Sequence, residues 1–257
     1  MNLRVWDIVA THGNTKTKPN TKMRTKTLLM AGAALALSLA TSQAQVYSAN
    51  IVGYANVVLK GNGQLTLIAN PFDDGNGNNV TNLLNQALPK QTQVLIWNYS
   101  GQTFGVVAKT GTPANFPAGT TNQLAPGVGF FVRNGSPGSG APDLTNTFVG
   151  TVIPNVGGSV TNDLGIGYTM QASPIPYAGN LAIATTGNGD PNMNFGGPLT
   201  KNSQILTWNL AGQTYNVSAK TGATPVWSVT SSVGVGEGFF VFNKLGPDTN
   251  VVETLAP

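Results

Sequence analysis

The chain has no cysteine, a single histidine, His12, and charged side chains at only 9% of its 257 positions. Without cysteine there is no disulfide, no Cys-His nucleophile and no lipoprotein-type anchor, so stability must come from burial and backbone pairing. Ordinary soluble domains carry about 25% charged residues. Here Gly, Asn, Thr and Ser fill the gap, a composition suited to turns and short strands rather than long helices. Long hydrophobic runs are scarce as well. The main one, Leu28 to Ala40, has about 13 residues, and a membrane-spanning helix needs roughly 20.

That run has the proportions of a signal peptide, with Arg24 and Lys26 before it and Thr41 and Ser42 after it. Ser42-Gln43-Ala44 gives the small-x-small pattern of a cleavage site, which predicts a mature chain from Gln45, exported to the periplasm or the exterior and without a transmembrane span. Residues 1–44 are read as the leader, with 23–44 as its core. Met1 to Lys22 is either a long n-region or the product of an upstream start. Six of the thirteen basic residues precede Ala44; seven basic and eight acidic residues follow it, a net charge of −1. The pI of about 9.4 therefore belongs to the leader. A basic footprint for nucleic acid disappears with it. His12 leaves too, which excludes a zinc site of the usual kind and a Ser-His-Asp triad, and no cofactor is expected.

What remains contains itself twice. VLIWNYSGQTFGVVAKTG, Val94 to Gly111, returns as ILTWNLAGQTYNVSAKTG, Ile205 to Gly222, with eleven of eighteen positions identical. Such self-similarity marks a repeat architecture. Each copy reads as a β-hairpin: Leu95, Trp97 and Tyr99 alternate with Val94, Ile96 and Asn98 before Ser100-Gly101, and the second copy keeps the phase. The face of Leu95 and Trp97 is apolar in both copies, whereas the other goes from Ile96 to Thr207 and from Val107 to Ser218. The first face is thus the expected core side, with Trp97 and Trp208 as structural core. PGVGFFVRN, from Pro126, recurs as VGEGFFVFN, from Val235. Adjacent Phe130-Phe131 and Phe239-Phe240 point to opposite faces, so these are core strands buried on both sides.

LTLIANPF, from Leu65, matches YTMQASPI, from Tyr168, each a strand stopped by proline. IVGYANVVL near Ile51 is similar to FVGTVIPNV near Phe148, which places the joint between modules around Thr145 to Val152. Asn79 is positioned to cap a short helix carrying Val80, Leu83, Leu84, Ala87 and Leu88, with Pro89 beyond its end. The second copy has GNGDPNMNFGGP there, a loop. The expected fold is all-β with one short helix: two tandem β-sandwich or barrel-like modules from internal duplication, residues 45–147 and 148–257.

Candidate sites are few. The loop Asp73-Asp74-Gly75-Asn76-Gly77-Asn78 and the loop around Asp190 offer oxygen ligands at alternate positions, making Asp74, Asn76, Asn78 and Asp190 weak calcium candidates. An EF-hand-type loop also needs a bidentate carboxylate near its twelfth position, where Asn85 stands, so a turn rich in Asn, Asp and Gly explains the first loop equally well. Phe116 and Trp227 occupy equivalent positions in the proline-containing segments after the hairpins, where chains usually run along the surface. They are the candidates for ligand or partner contact, or else plugs for the end of a sandwich or barrel. No carboxylate recurs with its context, so no catalytic residue is assigned, although glycosidases run on two carboxylates.

Taken in order, VYSANIVGYANV, LTLIANPF, VLIWN, APGVGFF, FVGTV and VGEGFF resemble a family of secreted two-repeat proteins present in many paralogous copies in verrucomicrobial-type bacteria. The resemblance implies export and a β-rich module, and brings no assigned activity. MQASP and the Gly-rich loop of the second copy depart from it. The expected function is a non-catalytic exported protein of the cell envelope or matrix binding glycans or proteins, with self-association possible in principle. The alternatives are a secreted carbohydrate-active enzyme and a self-assembling structural subunit.

Overall fold

The computed structural model describes residues 51–84, 86–112, 114–117, 123–154, 158–244 and 249–255. The expected leader, 1–44, lies outside them. Strands β1 (Val52–Leu59), β2 (Leu65–Ala69), β3 (Gln93–Asn98), β4 (Thr103–Ala108), β5 (Gly129–Arg133) and β6 (Leu144–Thr151) make the first half, with the one-turn helix α1 (Val80–Leu83) between β2 and β3. The second half holds β7 (Ser159–Leu164), β8 (Gly167–Ala172), β9 (Gly179–Ala182), β10 (Gln204–Asn209), β11 (Thr214–Thr221), β12 (Val226–Trp227), β13 (Ser231–Val233), β14 (Gly238–Asn243) and β15 (Thr249–Thr254). The fold is all-β. Its sheets are antiparallel and open, so no described strands close into a barrel.

Both halves follow one strand order. In the first, β2-β5-β3-β4 form a sheet and β1 pairs with β6; in the second, β8-β14-β10-β11 form the sheet, extended by β12, and β7 pairs with β15. Registers agree in detail: Leu59 faces Leu144 as Leu164 faces Thr249, and Ile96 faces Gly105 as Thr207 faces Asn216. β6 pairs with β1 along its whole length, so the expected division at 147/148 falls inside β6. The likeness of IVGYAN to FVGTV therefore joins two strands that are partners in one ribbon. The topological counterpart of β1 is β7.

Strand periodicity divides the apolar residues among three layers. Val94, Phe130 and Val132 pack with Leu59 and Phe148 beneath the β1-β6 ribbon. Ile205, Phe239 and Val241 pack with Leu164 and Val251 beneath the β7-β15 ribbon. The alternate residues, Leu67, Phe131, Met170, Leu206 and Phe240, meet between the two sheets and form a seam. Phe130-Phe131 and Phe239-Phe240 therefore each serve a half's own core and the seam at once. The expected core face of the hairpin is the seam face: Trp97 and Trp208 are half-buried there, and the centre of each half is built from Val94 and Ile205.

The seam is a reciprocal clasp. Trp97 Nε1 donates to the Tyr168 carbonyl at 2.9 Å, and Trp208 Nε1 to the Leu65 carbonyl at 3.0 Å. Gln102 binds both backbone groups of Tyr168, donating to its O at 3.1 Å and accepting from its N at 3.0 Å. Gln213 does the same to Leu65, at 3.1 and 2.8 Å. Edge-to-face contacts tie the rings together, among them Trp97–Phe240 and Phe131–Trp208, with centroids 5.2 and 4.9 Å apart. Such pairs add about 0.5–1.5 kcal/mol each beyond burial. At the centre, Gly129 and Gly238 face each other so closely that a Cβ on Gly238 would sit 3.2 Å from the Gly129 Cα. That is why both FF strands begin with glycine.

The helix is shorter than its spacing predicts. Asn79 occupies the N-cap without a side-chain cap bond, and the helix ends at Leu83, with Leu84 already extended. Beyond it the Gln86 and Leu88 carbonyls turn toward the buried ammonium of Lys109, at 2.5 and 2.7 Å, which diverts them from helical pairing. In the second half the loop at 187–198 takes this place, and its Met193 and Phe195 fill the core that α1 and its flank cover in the first.

Candidate functional site: a groove between the halves

Phe116 and Trp227, candidates for ligand or partner contact or else for plugging the end of a sandwich or barrel, are 4% and 1% exposed. Each lies beside the Lys of a repeated AKTG sequence, with Lys109 Nζ 5.9 Å from the Phe116 ring centroid and Lys220 Nζ 5.7 Å from that of Trp227. Four carbonyls of the 187–199 loop, those of Gly187, Gly196, Gly197 and Leu199, surround Lys220 Nζ within hydrogen-bond distance and share its three N–H groups. Burial draws both lysine pKa values below the ordinary range. The two aromatics plug the ends of the halves under these cations. Their burial removes them as contact residues.

Most oxygens of the calcium candidates already accept hydrogen bonds from the protein, Asp74 Oδ2 being buried without a partner. Asp74 Oδ1 accepts from the Asn76 and Asn78 amides, both at 2.8 Å, and Asn78 Oδ1 accepts from the Asp74 amide and from Asn70. Asp190 Oδ2 accepts from the Asn180 amide at 2.7 Å, and its Oδ1 from the Asn180 side chain. No group of three or more His, Asp or Glu side chains able to hold a metal occurs among the described residues. Asn and Asp accepting from amides two and four residues on are turn chemistry.

One carboxyl is deeply buried. Glu253 on β15 has no exposed surface. Its Oε1 accepts from Asn162 Nδ2 at 2.7 Å, and its Oε2 lies 2.5 Å from Ser173 Oγ. Burial pushes its pKa up to about 7, opposed by these two hydrogen bonds. Ser173 Oγ is also 2.6 Å from the Ile175 carbonyl, and its single proton serves one acceptor. A protonated Glu253 donates to Ser173, which donates onward, and every group is satisfied. By register, the first half has Phe148 where Glu253 stands and Val57 where Asn162 stands.

A polar surface that none of these candidates marks lies elsewhere. Where β10 and β11 turn their non-seam face outward, Thr207, Asn216 and Ser232 line a groove with Trp208 and Glu237, closed on its other side by β1 and β2 of the first half. Its enclosed part has a volume of about 350 Å³, and it opens past Thr207, Asn216 and Ser232 into a shallower trough of about 610 Å³. The side chains of Thr207, Asn216 and Ser232 form no hydrogen bond with another described residue. Glu237 Oε2 accepts from the Gly234 amide at 2.8 Å, which fixes the carboxylate and leaves Oε1 for a ligand. Asn56 Oδ1 accepts from Thr147, which orients the amide and leaves its NH₂.

At the register positions of Thr207, Asn216 and Glu237, the first half carries Ile96, Gly105 and Val128. The change from Ile96 to Thr207 was visible in the sequence; the part played by Asn216 and Glu237 needed the strand pairing. A second, apolar cleft of about 300 Å³ opens at the seam, between Trp97, Phe104, Tyr168, Leu206, Tyr215 and Phe240. Burial there raises the Tyr215 pKa to about 12.

Comparison with protein-family models, with curated proteins and with solved structures gave no match to this chain. The architecture defines an all-β protein of two like-ordered halves with a polar groove between them.

Proposed function

We propose that this is a non-catalytic exported protein of the cell envelope or extracellular matrix, that its halves arose by duplication, and that it binds glycans or other proteins through the groove. The observation that carries this reading is the groove lining: free hydroxyl and amide groups on rigid strands, beside one indole edge. Side chains held by a sheet and lacking internal partners are prepared for an external one. Export rests on the leader pattern of residues 23–44. No helix among the described residues is long and apolar enough to cross a membrane.

The enzyme alternative has less support. Glu237 is the one carboxylate among the described groove residues, and two-carboxylate glycosidases place a second within about 5–9.5 Å. Hydrolase screens alongside glycan arrays test this directly. Turnover abolished by a single carboxylate substitution would overturn the non-catalytic reading. Self-assembly is favoured by a different surface, the outer face of the β1-β6 ribbon, where Val52 and Tyr54 are 70% and 75% exposed. Sedimentation over a concentration series separates it from the binding reading, since an assembling subunit shifts to larger species and a simple binding protein does not.

A further inference from the structure

Resting on that reading, we infer that the groove ligand is a neutral polysaccharide segment, held by hydroxyl-to-amide and hydroxyl-to-carboxylate hydrogen bonds, and that Glu237 excludes acidic glycans and acidic peptides.

Three observations converge on this chemistry. The free groups are of the kinds that pair with sugar hydroxyls. Thr207 and Ser232 each offer a donor and acceptors, Asn216 offers both kinds, and the Asn56 amide, oriented by Thr147, offers donors. Sugars present donors and acceptors in dense alternation, and such a set matches them without requiring charge on the ligand. Glu237 Oε1 is free while Oε2 is fixed by the Gly234 amide, so the carboxylate is oriented and accepts from ligand hydroxyls as a charge-assisted partner. The same negative charge, with no cation among the described lining residues, opposes a uronate, sulfate or acidic side chain in the same trough. Trp208 is fixed by its bond to the Leu65 carbonyl, so its exposed part contributes apolar surface at no further ordering cost.

The shape agrees. The two parts share Thr207, Asn216 and Ser232 and both are open to solvent, so the site is a surface groove rather than a closed pocket. An open groove of that kind admits an internal stretch of a chain as well as a terminus. The first half supplies an internal control. On the same scaffold Ile96, Gly105 and Val128 occupy the equivalent positions, so the polar set is not a requirement of the fold.

The test is affinity electrophoresis of the purified protein through gels containing neutral polysaccharides (laminarin, xyloglucan, galactomannan, dextran) or acidic ones (polygalacturonate, carrageenan), with affinities then measured calorimetrically for fragments of any hit. Retardation by at least one neutral polymer and none by the acidic polymers is expected. Asn216→Gly with Thr207→Ile, which installs the first-half residues, should weaken the neutral hit about tenfold or more, as loss of two or three hydrogen bonds does. Glu237→Val should do the same. Glu237→Gln should retain more of the neutral affinity and reduce the discrimination against polygalacturonate. Unchanged melting temperatures will show that the variants fold.

Retardation by acidic polymers alone overturns the inference, as does neutral binding that none of these substitutions alters. A protein ligand lost on the same substitutions, with no neutral polymer bound, overturns the inference and leaves the binding reading standing. Absence of any ligand sensitive to the groove residues overturns both.

Discussion

Raising the pH should destabilise this protein through one residue, Glu253. Burial pushes the pKa of its carboxyl up to about 7 from an ordinary value of 4.5, because it disfavours the charged form more than Asn162 and Ser173 favour it. An acid whose folded pKa is raised holds its proton more tightly when folded than when unfolded. Its contribution is therefore complete below about pH 4.5, falls as the pH rises toward 7, and is gone above that. At 1.36 kcal/mol for each tenfold difference in acidity, that rise in pKa corresponds to about 3 kcal/mol.

The assay is urea unfolding from pH 4.5 to 8, comparing the chain with Glu253→Gln. The amide can accept from Asn162 and donate to Ser173, as the protonated acid does. All other titrating groups, His12 included, are common to both proteins, so the difference between the two stability curves isolates Glu253. The wild-type chain should lose about 3 kcal/mol relative to the variant across this range, at constant denaturant slope. Parallel curves would refute both the buried neutral carboxyl and the hydrogen-bond assignment built on it.

Four further outcomes follow from the same structure. Gln102→Ala and Gln213→Ala should each lower stability by about 1–2 kcal/mol in urea melts, since each removes two bonds to the backbone of the opposite half. Lys220→Met should cost about 2–4 kcal/mol by thermal or urea unfolding, because several loop carbonyls lose their buried donor. Gly238→Ala should cost about 1–3 kcal/mol, the added methyl entering a contact with Leu67, Ile68 and Gly129, with a lowered melting temperature as the readout. Millimolar calcium should leave the melting temperature unchanged, since Asp74 Oδ1 and both Asp190 oxygens already accept from protein amides; an increase with calcium concentration would show a site.

Much of the scaffold was legible because strands announce themselves by period. The alternation around Trp97 and Trp208, the proline stops after Ala69 and Ala172, and the doubled phenylalanines all translate directly into strands with defined faces. Which face meets which layer was not legible. Leu95 and Val94 are equally apolar, and only the partner sheet decides that Val94 closes a core while Leu95 enters the seam. The helix was overread for a related reason: Leu84 and Leu88 are buried as helical spacing requires, but the carbonyls near them answer to Lys109, a residue more than twenty positions away in sequence.

The candidate site divides in the same way. Phe116 and Trp227 stand at matching positions after matching hairpins, and that recurrence marks a shared structural duty, here the plug beneath a lysine. The polar groove residues Thr207, Asn216 and Glu237 are ones that do not recur. A signal for the clasp was present in the identical Gln102 and Gln213, since glutamine is not a residue that turns select. At both positions φ is positive, 48° and 49°, an uncommon conformation for glutamine that the shared turn imposes.

The clasp also bears on how the two halves stay matched while their sequences drift. Gln102 and Gln213 grip peptide groups, and the two tryptophans likewise donate to carbonyls, so the receiving strand is recognised by its main chain whatever side chain it carries. Leu65 on one side and Tyr168 on the other satisfy the same grip. A lock that is blind to side-chain identity leaves much of each half free to vary, and it makes exchange feasible: a chain rebuilt from two first halves or two second halves would still present the tryptophan and glutamine donors and the main-chain groups that the clasp joins.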